Sequence, residues 1–400
     1  MKQTDIQTVV TELAQMAMKA TFGDEAAMHR FAIRYQQGRR SMYSMCLSLR
    51  DLTALTTTDA MSKRGEREPE KRRNRPIDPQ HQEGIRAYLT DEATSPNYIL
   101  PPVTLDADTK LQFVAVSGTG DGSRVSVGML RIPIGYRFQV ADGQHRIKAI
   151  EQAIKEKGGL GADGIAVNIV QESELEKIHQ DFADCAKVKP IGKSQLVLFD
   201  TRDPIRRFAK QLCEKVRFFN TRVEKVSNTV GKTSTKVYTL NHVKNACEEL
   251  LIGDSGGHDR TKSAKCEKLL QGHQFDVWLE RITKFFDALW RENRQTAEIS
   301  RLALGDGKPS PTLRKMKEDY VLFNGTALAV VGRVGFHLIR ANPALFEKGV
   351  KDLAGFDWRR KNPFWTDCLI VSGQVVNSRT SKRETAVRII DKLRIPRIEG

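Results

Sequence analysis

The sequence lacks the closely spaced metal ligands of structural zinc sites, because its six cysteines are scattered and none forms a Cys-x-x-Cys pair. We therefore expect reduced thiols rather than a metal cluster or a disulfide framework. The chain also has no apolar run of about 18 residues, which argues against a membrane-spanning helix. An apolar signal core is missing from the N-terminus, so the sequence predicts a cytoplasmic protein with no membrane partner.

What the sequence has in excess is positive charge, with 65 Lys and Arg against 49 Asp and Glu and a formal net charge of +16. A protein this basic attracts polyanions, and nucleic acid is the commonest polyanion in the cell. The alternative is a solvated basic surface without a partner. Charge alone predicts DNA association but gives no sequence specificity.

The 400 residues exceed the size of one average domain, and two globular units are expected. Residues 1–34 are predicted to form an N-terminal helical extension. Residues 35–204 mix strand and helix patterns, which is typical of an α/β or α+β domain. Residues 205–400 read as a mainly α-helical domain, in which Trp278, Phe285, Phe286 and Trp290 recur at helical spacing as a core stripe.

Residues 60–75 are charged and nearly free of apolar side chains, so they cannot bury surface and are predicted to form a loop. Lys71, Arg72 and Arg73 near its end are candidate DNA contacts. The alternative, a solvated loop that contacts no DNA, is equally consistent with the sequence. A helix over residues 77–91 is expected to follow, with Pro79 near its start.

The stretch RFQVADGQHRIKAI, residues 137–150, places five polar or flexible residues between a strand and a helix. A glycine at such a junction lets the backbone approach a ligand, and a helix start offers N–H groups to an anion. Arg146 opposes the helix dipole there, which makes more sense if an anion lies beside it. His145 can donate to phosphate, and Asp142 can cap the helix or hold a divalent cation. A plain capped helix start is the alternative.

Two other segments imitate phosphate-binding loops, Gly192-Lys193-Ser194 and Gly231-Lys232-Thr233. A true P-loop has another glycine five residues earlier, where this sequence has Lys187 and Val226. Neither segment is therefore a Walker A loop, although Lys193 or Lys232 can still meet a phosphate as a single charge.

Asp142-Gly143-Gln144-His145-Arg146 is the signature of the DGQHR-domain family, and the chain resembles the DndB-like group of bacterial DNA-modification proteins over roughly residues 35–395. Further motifs that are similar to the family's are Phe182-Ala183-Asp184, Asp200-Thr201-Arg202-Asp203-Pro204, Lys236-Val237-Tyr238-Thr239-Leu240 and the tryptophan-containing segment 357–379. Cys185-Ala186-Lys187 departs from the usual Leu-Asn-Arg, so that Lys187, Lys189 or Lys193 takes the place of the missing asparagine or the pocket is used differently. This departure favours a DpdB-like relative over DndB itself.

The resemblance implies a ParB/sulfiredoxin-like fold for residues 35–204, in which the DGQHR turn holds the phosphates of a nucleotide. The turn itself would contribute Gly143, Gln144, His145 and Arg146. The remaining nucleotide-binding candidates are Asn74 and Arg75, which match an upstream box loosely, and Lys193 and Ser194.

The resulting functional hypothesis is an ATP-hydrolysing, DNA-associated accessory protein that serves 7-deazaguanine insertion or phosphorothioation of DNA. Asp142, His145 and Arg146 would be catalytic, and Asp142 would hold Mg²⁺. The expected partners are DNA, ATP and a DNA-modifying enzyme of the same gene cluster, and a homo-oligomer is a further expectation. The alternative is a DNA-binding repressor without turnover. A ParB-like nuclease is disfavoured because no acidic cluster accompanies Asp142.

Overall fold

A computed structural model of the chain describes residues 3–22, 26–57, 77–92, 94–116, 124–174, 176–178, 180, 192–231, 234–253, 259–302 and 310–398. The chain divides into two compact units, residues 1–189 and residues 190–400. Each unit has its own hydrophobic core. The mixed α/β class expected from the sequence is confirmed.

The first unit combines four described helices with one sheet. Its elements in chain order are α1 (Gln3–Phe22), β1 (Ala27–Gln37), β2 (Arg40–Ser48), α2 (Leu49–Leu55), β3 (Thr56–Thr57), α3 (Pro79–Thr90), β4 (Val103–Ala107), β5 (Gln112–Ala115), β6 (Ser126–Pro133), β7 (Phe138–Asp142), α4 (Gln144–Glu156) and β8 (Gly164–Gln171). Short 3₁₀ turns span Ser95–Asn97 and Gly158–Ala162.

The sheet has eight strands in the order β3-β7-β4-β8-β2-β1-β6-β5. Strand pairs β3–β7 and β4–β8 are parallel and the other pairs are antiparallel. One face of the sheet shares a core with α2, α3 and α4, where Leu52, Leu89 and Ile150 are fully buried. On β6, Leu130 belongs to this core, whereas the adjacent Met129 lies against Met16 of α1. Because neighbouring strand residues point to opposite faces, α1 covers part of the other face.

The N-terminal part of the chain differs from the expected helical extension over residues 1–34. A helix is present over Gln3–Phe22, but Ala27–Gln37 forms strand β1, which pairs with β2 on one side and β6 on the other. Two antiparallel ladders satisfy the backbone of this segment, and that pairing outweighs its local pattern. Residues 27–34 are therefore part of the sheet.

The second unit is mainly helical, and it begins at residue 190 rather than at the expected residue 205. Its elements in chain order are α5 (Lys193–Phe199), α6 (Pro204–Lys215), α7 (Arg217–Arg222), β9 (Val223–Glu224), β10 (Tyr238–Thr239), α8 (Leu240–Ile252), α9 (Asp259–Leu269), α10 (Gln274–Glu292), α11 (Arg294–Arg301), α12 (Pro311–Asp319), α13 (Gly325–Leu338), α14 (Pro343–Ala354), β11 (Ile370–Val371), β12 (Gln374–Val375) and α15 (Arg379–Leu393). Short 3₁₀ turns span Val321–Phe323 and Pro363–Trp365.

Helix α13 lies at the centre of this unit, because its residues are buried on every side from Thr326 to Phe336. It packs closely on α8 at Gly332, where an added Cβ would lie 2.4 Å from the carbonyl oxygen of Ala246. The aromatic stripe predicted as core is confirmed in its buried members Phe285, Phe286 and Trp290.

The described cysteines form no disulfide bond. Cys46, Cys213, Cys247, Cys266 and Cys368 are free thiols, and all of them except Cys46 are buried. The described part of the chain contains no cluster of three or more His, Cys, Asp or Glu side chains arranged to bind a metal ion. None of the described helices combines the length and apolar character that crossing a membrane requires.

A reciprocal capping box starts α8. Thr239 Oγ1 accepts a hydrogen bond from the His242 N–H at 3.2 Å, and His242 Nδ1 accepts one from the Thr239 N–H at 3.2 Å. Burial lowers the pKa of His242 below its usual value. Protonation of Nδ1 would remove the second hydrogen bond and add a charge to a half-buried ring.

We predict that His242→Gln makes the second unit less sensitive to acid, because glutamine at this position keeps the capping box without titrating. A histidine whose pKa is lowered on folding stabilises the protein above an unfolded pKa of about 6.5. That stability is lost as the pH falls through the lowered folded pKa. Urea unfolding at neutral pH and near pH 5 should show a larger loss for the wild type. Equal losses in the two proteins would contradict the prediction.

Candidate functional site

The DGQHR turn joins β7 to α4 through a single residue in the left-handed region. Asp142 ends β7, and Gly143 is the N-cap of α4 with φ 107° and ψ 11°. A Cβ at Gly143 would lie 2.7 Å from Val103 Cγ1 on β4 and 3.1 Å from Arg146 Nη2. Both the backbone angle and the close neighbours therefore require glycine at this position.

The Arg146 side chain folds back over the turn. Its Nη2 forms an ion pair with Asp142 Oδ2, and its Nη1 donates to the carbonyl oxygen of Pro101 at 3.1 Å. The arginine side chain is 14% exposed and the aspartate side chain is 47% exposed. The carboxylate offsets the unfavourable position of a cation at a helix N-terminus. The N-cap residue of α4 is Gly143 and not Asp142, which was a candidate for that position.

His145 connects this turn to α3. Its Nε2 accepts a hydrogen bond of 2.9 Å from the backbone N–H of Asp78, the N-cap residue of α3. The ring is only 6% exposed and meets His81 edge to face at 5.2 Å between centroids. A nitrogen that accepts a hydrogen bond carries no proton. A hydrogen bond from His145 to phosphate would therefore have to use Nδ1, and that role remains a prediction.

A cavity of about 380 Å³ lies beside the turn. Asp142 and Arg146 line its polar end, and Gln144 and His145 contribute to the same wall. The apolar wall consists of Ile85, Tyr88, Ile99, Leu100 and Pro101. An apolar concave surface with a few convergent polar groups is the usual form of a small-molecule site, and we call this cavity the DGQHR pocket.

The residues that α3 contributes to the pocket were not predicted as site residues. His81, Ile85 and Tyr88 follow each other at i, i+4 and i+7, which places them on one face of the helix. That spacing was available in the sequence and could have identified them. The contribution of Pro101 could not be read in this way, because its contact with Arg146 is made by a backbone oxygen.

The structure brings together the five predicted residues of the signature, Asp142, Gly143, Gln144, His145 and Arg146, around one pocket. Other predicted residues lie outside the described residues: Lys71, Arg72, Arg73, Asn74, Arg75, Lys187, Lys189 and the motif Phe182-Ala183-Asp184. The roles proposed for them remain predictions.

Lys193 and Ser194 belong to the second unit, whereas the DGQHR turn belongs to the first. The Ser194 side chain is fully buried, and its backbone N–H donates to Asn228 Oδ1 at 3.1 Å. A hydroxyl without accessible surface cannot contact a nucleotide, so the structure does not support Ser194 as a phosphate contact. Lys193 is exposed and lines a cavity of its own unit.

The donor set at the turn does not fit a resident Mg²⁺ ion. Among the described residues that line the DGQHR pocket, Asp142 is the one carboxylate, and Arg146 already neutralises it. Mg²⁺ is commonly held by one or two carboxylates together with the phosphates of a substrate. Any Mg²⁺ used here would therefore enter with a nucleotide, as part of the substrate.

We predict that Gly143→Ala destabilises the first unit by more than Gly135→Ala does. Gly135 has a similar positive φ of 82° but no atom within 4 Å of its added Cβ. The control therefore carries only the backbone strain, about 1–3 kcal/mol, whereas Gly143→Ala also meets Val103. Urea unfolding measures the difference. Equal losses of unfolding free energy would show that the close approach of Val103 does not constrain the turn.

Comparison with known protein families finds one family model that matches most of the chain. The sequence matches the family model of DndB, described as DNA-sulfur modification-associated, over residues 31–396. Neither the curated proteins nor the solved structures contain a significant match. The match runs through both units and includes the DGQHR turn. Membership of this family implies a role in a DNA sulfur-modification system. The chain belongs to the DndB family of DNA-sulfur modification-associated proteins.

Proposed function

We propose that the DGQHR pocket binds a nucleoside triphosphate and that the protein is a nucleotide-dependent, DNA-associated accessory of its modification system. The observation that carries this proposal is the composition of one pocket, in which an apolar wall with Tyr88 faces the turn that holds Arg146. A nucleotide has the matching division into a planar base and a charged phosphate end. Guanidinium groups recognise phosphate oxygens through two parallel hydrogen bonds.

The ion pair between Arg146 and Asp142 defines how the pocket would respond to a nucleotide. A triphosphate competes with the Asp142 carboxylate for the Arg146 guanidinium, because both present oxygen acceptors to the same donors. Once Arg146 turns to the phosphates, the half-exposed Asp142 is released and can orient the water that attacks the terminal phosphate. The Mg²⁺ that accompanies ATP neutralises charge on the phosphates.

We also propose that the first unit has a ParB-like fold and that the protein associates with DNA. The mixed sheet that leads into a glycine-started helix supports a ParB-like arrangement of the first unit. The net charge of +16 supports association with the DNA backbone. A DpdB-like protein would serve 7-deazaguanine insertion rather than phosphorothioation. Deleting the gene and measuring which of the two DNA modifications is lost distinguishes these alternatives.

We predict that Arg146→Ala weakens ATP binding by about tenfold or more, since a hydrogen-bonded charge pair contributes roughly 1.5–3 kcal/mol. Lys155→Ala is the matched control, because it removes the same charge from α4 at a side chain that is 71% exposed. Isothermal titration with ATP and phosphate release with and without DNA are the measurements. Equal affinity of the two variants for ATP would overturn the assignment of the pocket.

A second candidate function is a DNA-binding repressor whose pocket senses a ligand without turnover. The structure gives a specific reason to consider it, since all three candidate catalytic residues, Asp142, His145 and Arg146, already have partners within the protein. Asp142 is paired with Arg146, and His145 Nε2 accepts from Asp78. A repressor that binds nucleotide without hydrolysis should still bind ATP in the titration above.

For the repressor, we predict selective retention of the promoter next to its own gene cluster in a mobility-shift assay. Specific complexes are typically about 10³-fold or more tighter than non-specific ones, and they depend less steeply on salt when base contacts contribute. Random duplex of the same length is the control. Phosphate release stimulated by DNA, with no preference for the promoter, would exclude this candidate in favour of the ATPase.

A further inference from the structure

The second unit contains a cavity of about 350 Å³ whose lining is dominated by cationic side chains. It lies among α5, α6, α8, α9 and α15, and we call it the lysine cavity. The cations that line it are Lys193, Arg206, Lys244, Lys262 and Lys382.

The acidic side chains that line the lysine cavity, Glu248 and Glu249, are each neutralised by a cation at close range. Glu249 Oε1 lies 2.7 Å from Lys262 Nζ, and Glu249 Oε2 lies 2.6 Å from Arg333 Nη2. Glu248 Oε1 lies 2.7 Å from Lys244 Nζ, and burial raises the pKa of Glu248. Glu249 and Arg333 are each only 3% exposed, so these charges are held in fixed positions inside the unit.

Five cations and two carboxylates line the lysine cavity. Together with Asp200 and Asp203, which pair with Arg206, and Arg333, which pairs with Glu249, they make six cations against four carboxylates, a balance of +2. Lys193 and Lys382 approach the space from α5 and α15, and Asn241 and Asn245 add neutral amide donors from α8. Cations and amide donors that converge on one space favour an anion with several acceptor oxygens.

The lining also limits the kind of anion. Leu196 and Val197 are its apolar members, and no aromatic ring is among the described residues that line it. The DGQHR pocket, by contrast, has the ring of Tyr88 and an apolar wall. Without a ring to stack on a base, the lysine cavity suits a compact oxyanion better than the base of a nucleotide.

We propose that the lysine cavity binds a tetrahedral oxyanion of the phosphate class, held by the lysines that line it, Lys193, Lys244, Lys262 and Lys382. Such a group can be free inorganic phosphate or pyrophosphate, or a phosphate of the DNA backbone. The site is additional to the DGQHR pocket and does not rest on nucleotide binding there.

The test compares two double variants of the full chain that change the net charge equally. Lys193→Gln with Lys382→Gln removes two cations from the lysine cavity. Lys284→Gln with Arg383→Gln removes two exposed cations of the same unit, and Arg383 directly follows Lys382 on α15. Isothermal titration and thermal unfolding with inorganic phosphate, pyrophosphate and sulfate in chloride buffer are the measurements.

The wild type and the control should bind one anion saturably in the second unit, and the cavity variant should bind it about tenfold or more weakly. The titration is repeated in the Arg146→Ala background, where binding should persist because the DGQHR turn is not involved. Two results would overturn the proposal, provided that the two double variants also bind DNA equally. One is that the wild type shows no saturable anion binding, and the other is that the two double variants bind the anion equally. Each single variant is measured as well, in case the double variant does not fold.

A short DNA duplex distinguishes the two sources of the phosphate group. If the cavity variant loses affinity for both phosphate and DNA, the site takes a backbone phosphate of bound DNA. If it loses affinity for the free anions alone, the site takes a free oxyanion. Loss of affinity for DNA alone, relative to the control, would show that the phosphate is recognised only as part of the DNA backbone.

Discussion

The DGQHR pocket depends on the backbone conformation of one residue, Gly143. Its positive φ turns the chain from β7 directly into α4, with no intervening loop. Because the turn is this short, Asp142 at the strand end and Arg146 in the first helical turn lie at i and i+4 and meet on one side. The same turn presses the backbone against Val103, so a side chain at this position would push β4 and α4 apart. The polar end of the pocket therefore depends on a steric condition that glycine alone satisfies, because the turn at Gly143 sets the positions of Asp142 and Arg146.

In both units, a cationic side chain that is mostly buried is paired with a carboxylate. Arg146 is compensated by Asp142, and Lys262 and Arg333 share the carboxylate of Glu249. Desolvating a charge costs several kcal/mol unless a partner restores the lost interactions. The two cases differ in exposure, which decides how easily the pair can be opened. Asp142 retains solvent on one side, and a competing anion can take its place, whereas Glu249 is enclosed and acts as a fixed part of the wall.

Local sequence patterns predicted the elements around the site well and its contacts poorly. A strand and a helix were expected on either side of the DGQHR residues, and β7 spans Phe138–Asp142 while α4 spans Gln144–Glu156. Periodicity and the junction glycine carry that information, because both act over a few residues. The hydrogen bond between His145 and Asp78 joins residues far apart in the chain, and no local pattern records it. Strand β1 was missed for a related reason, since its partners β2 and β6 supply the pairing that makes it a strand.

The assignment of Lys193 shows how a cavity's lining, rather than a motif, determines what its residues can bind. The Gly-Lys-Ser sequence suggested a phosphate contact near the DGQHR turn, but Lys193 faces a cavity of the second unit. The two cavities have similar volumes, about 380 and 350 Å³, so size does not separate their ligands. The linings of the two cavities separate their ligands. One lining has Tyr88 and an apolar surface beside a single ion pair, and the other has five cations and no aromatic ring among its described residues. A base needs the first kind of wall to replace the stacking it loses, whereas a tetrahedral anion gains from the second kind alone. The family match extends over the residues of both cavities.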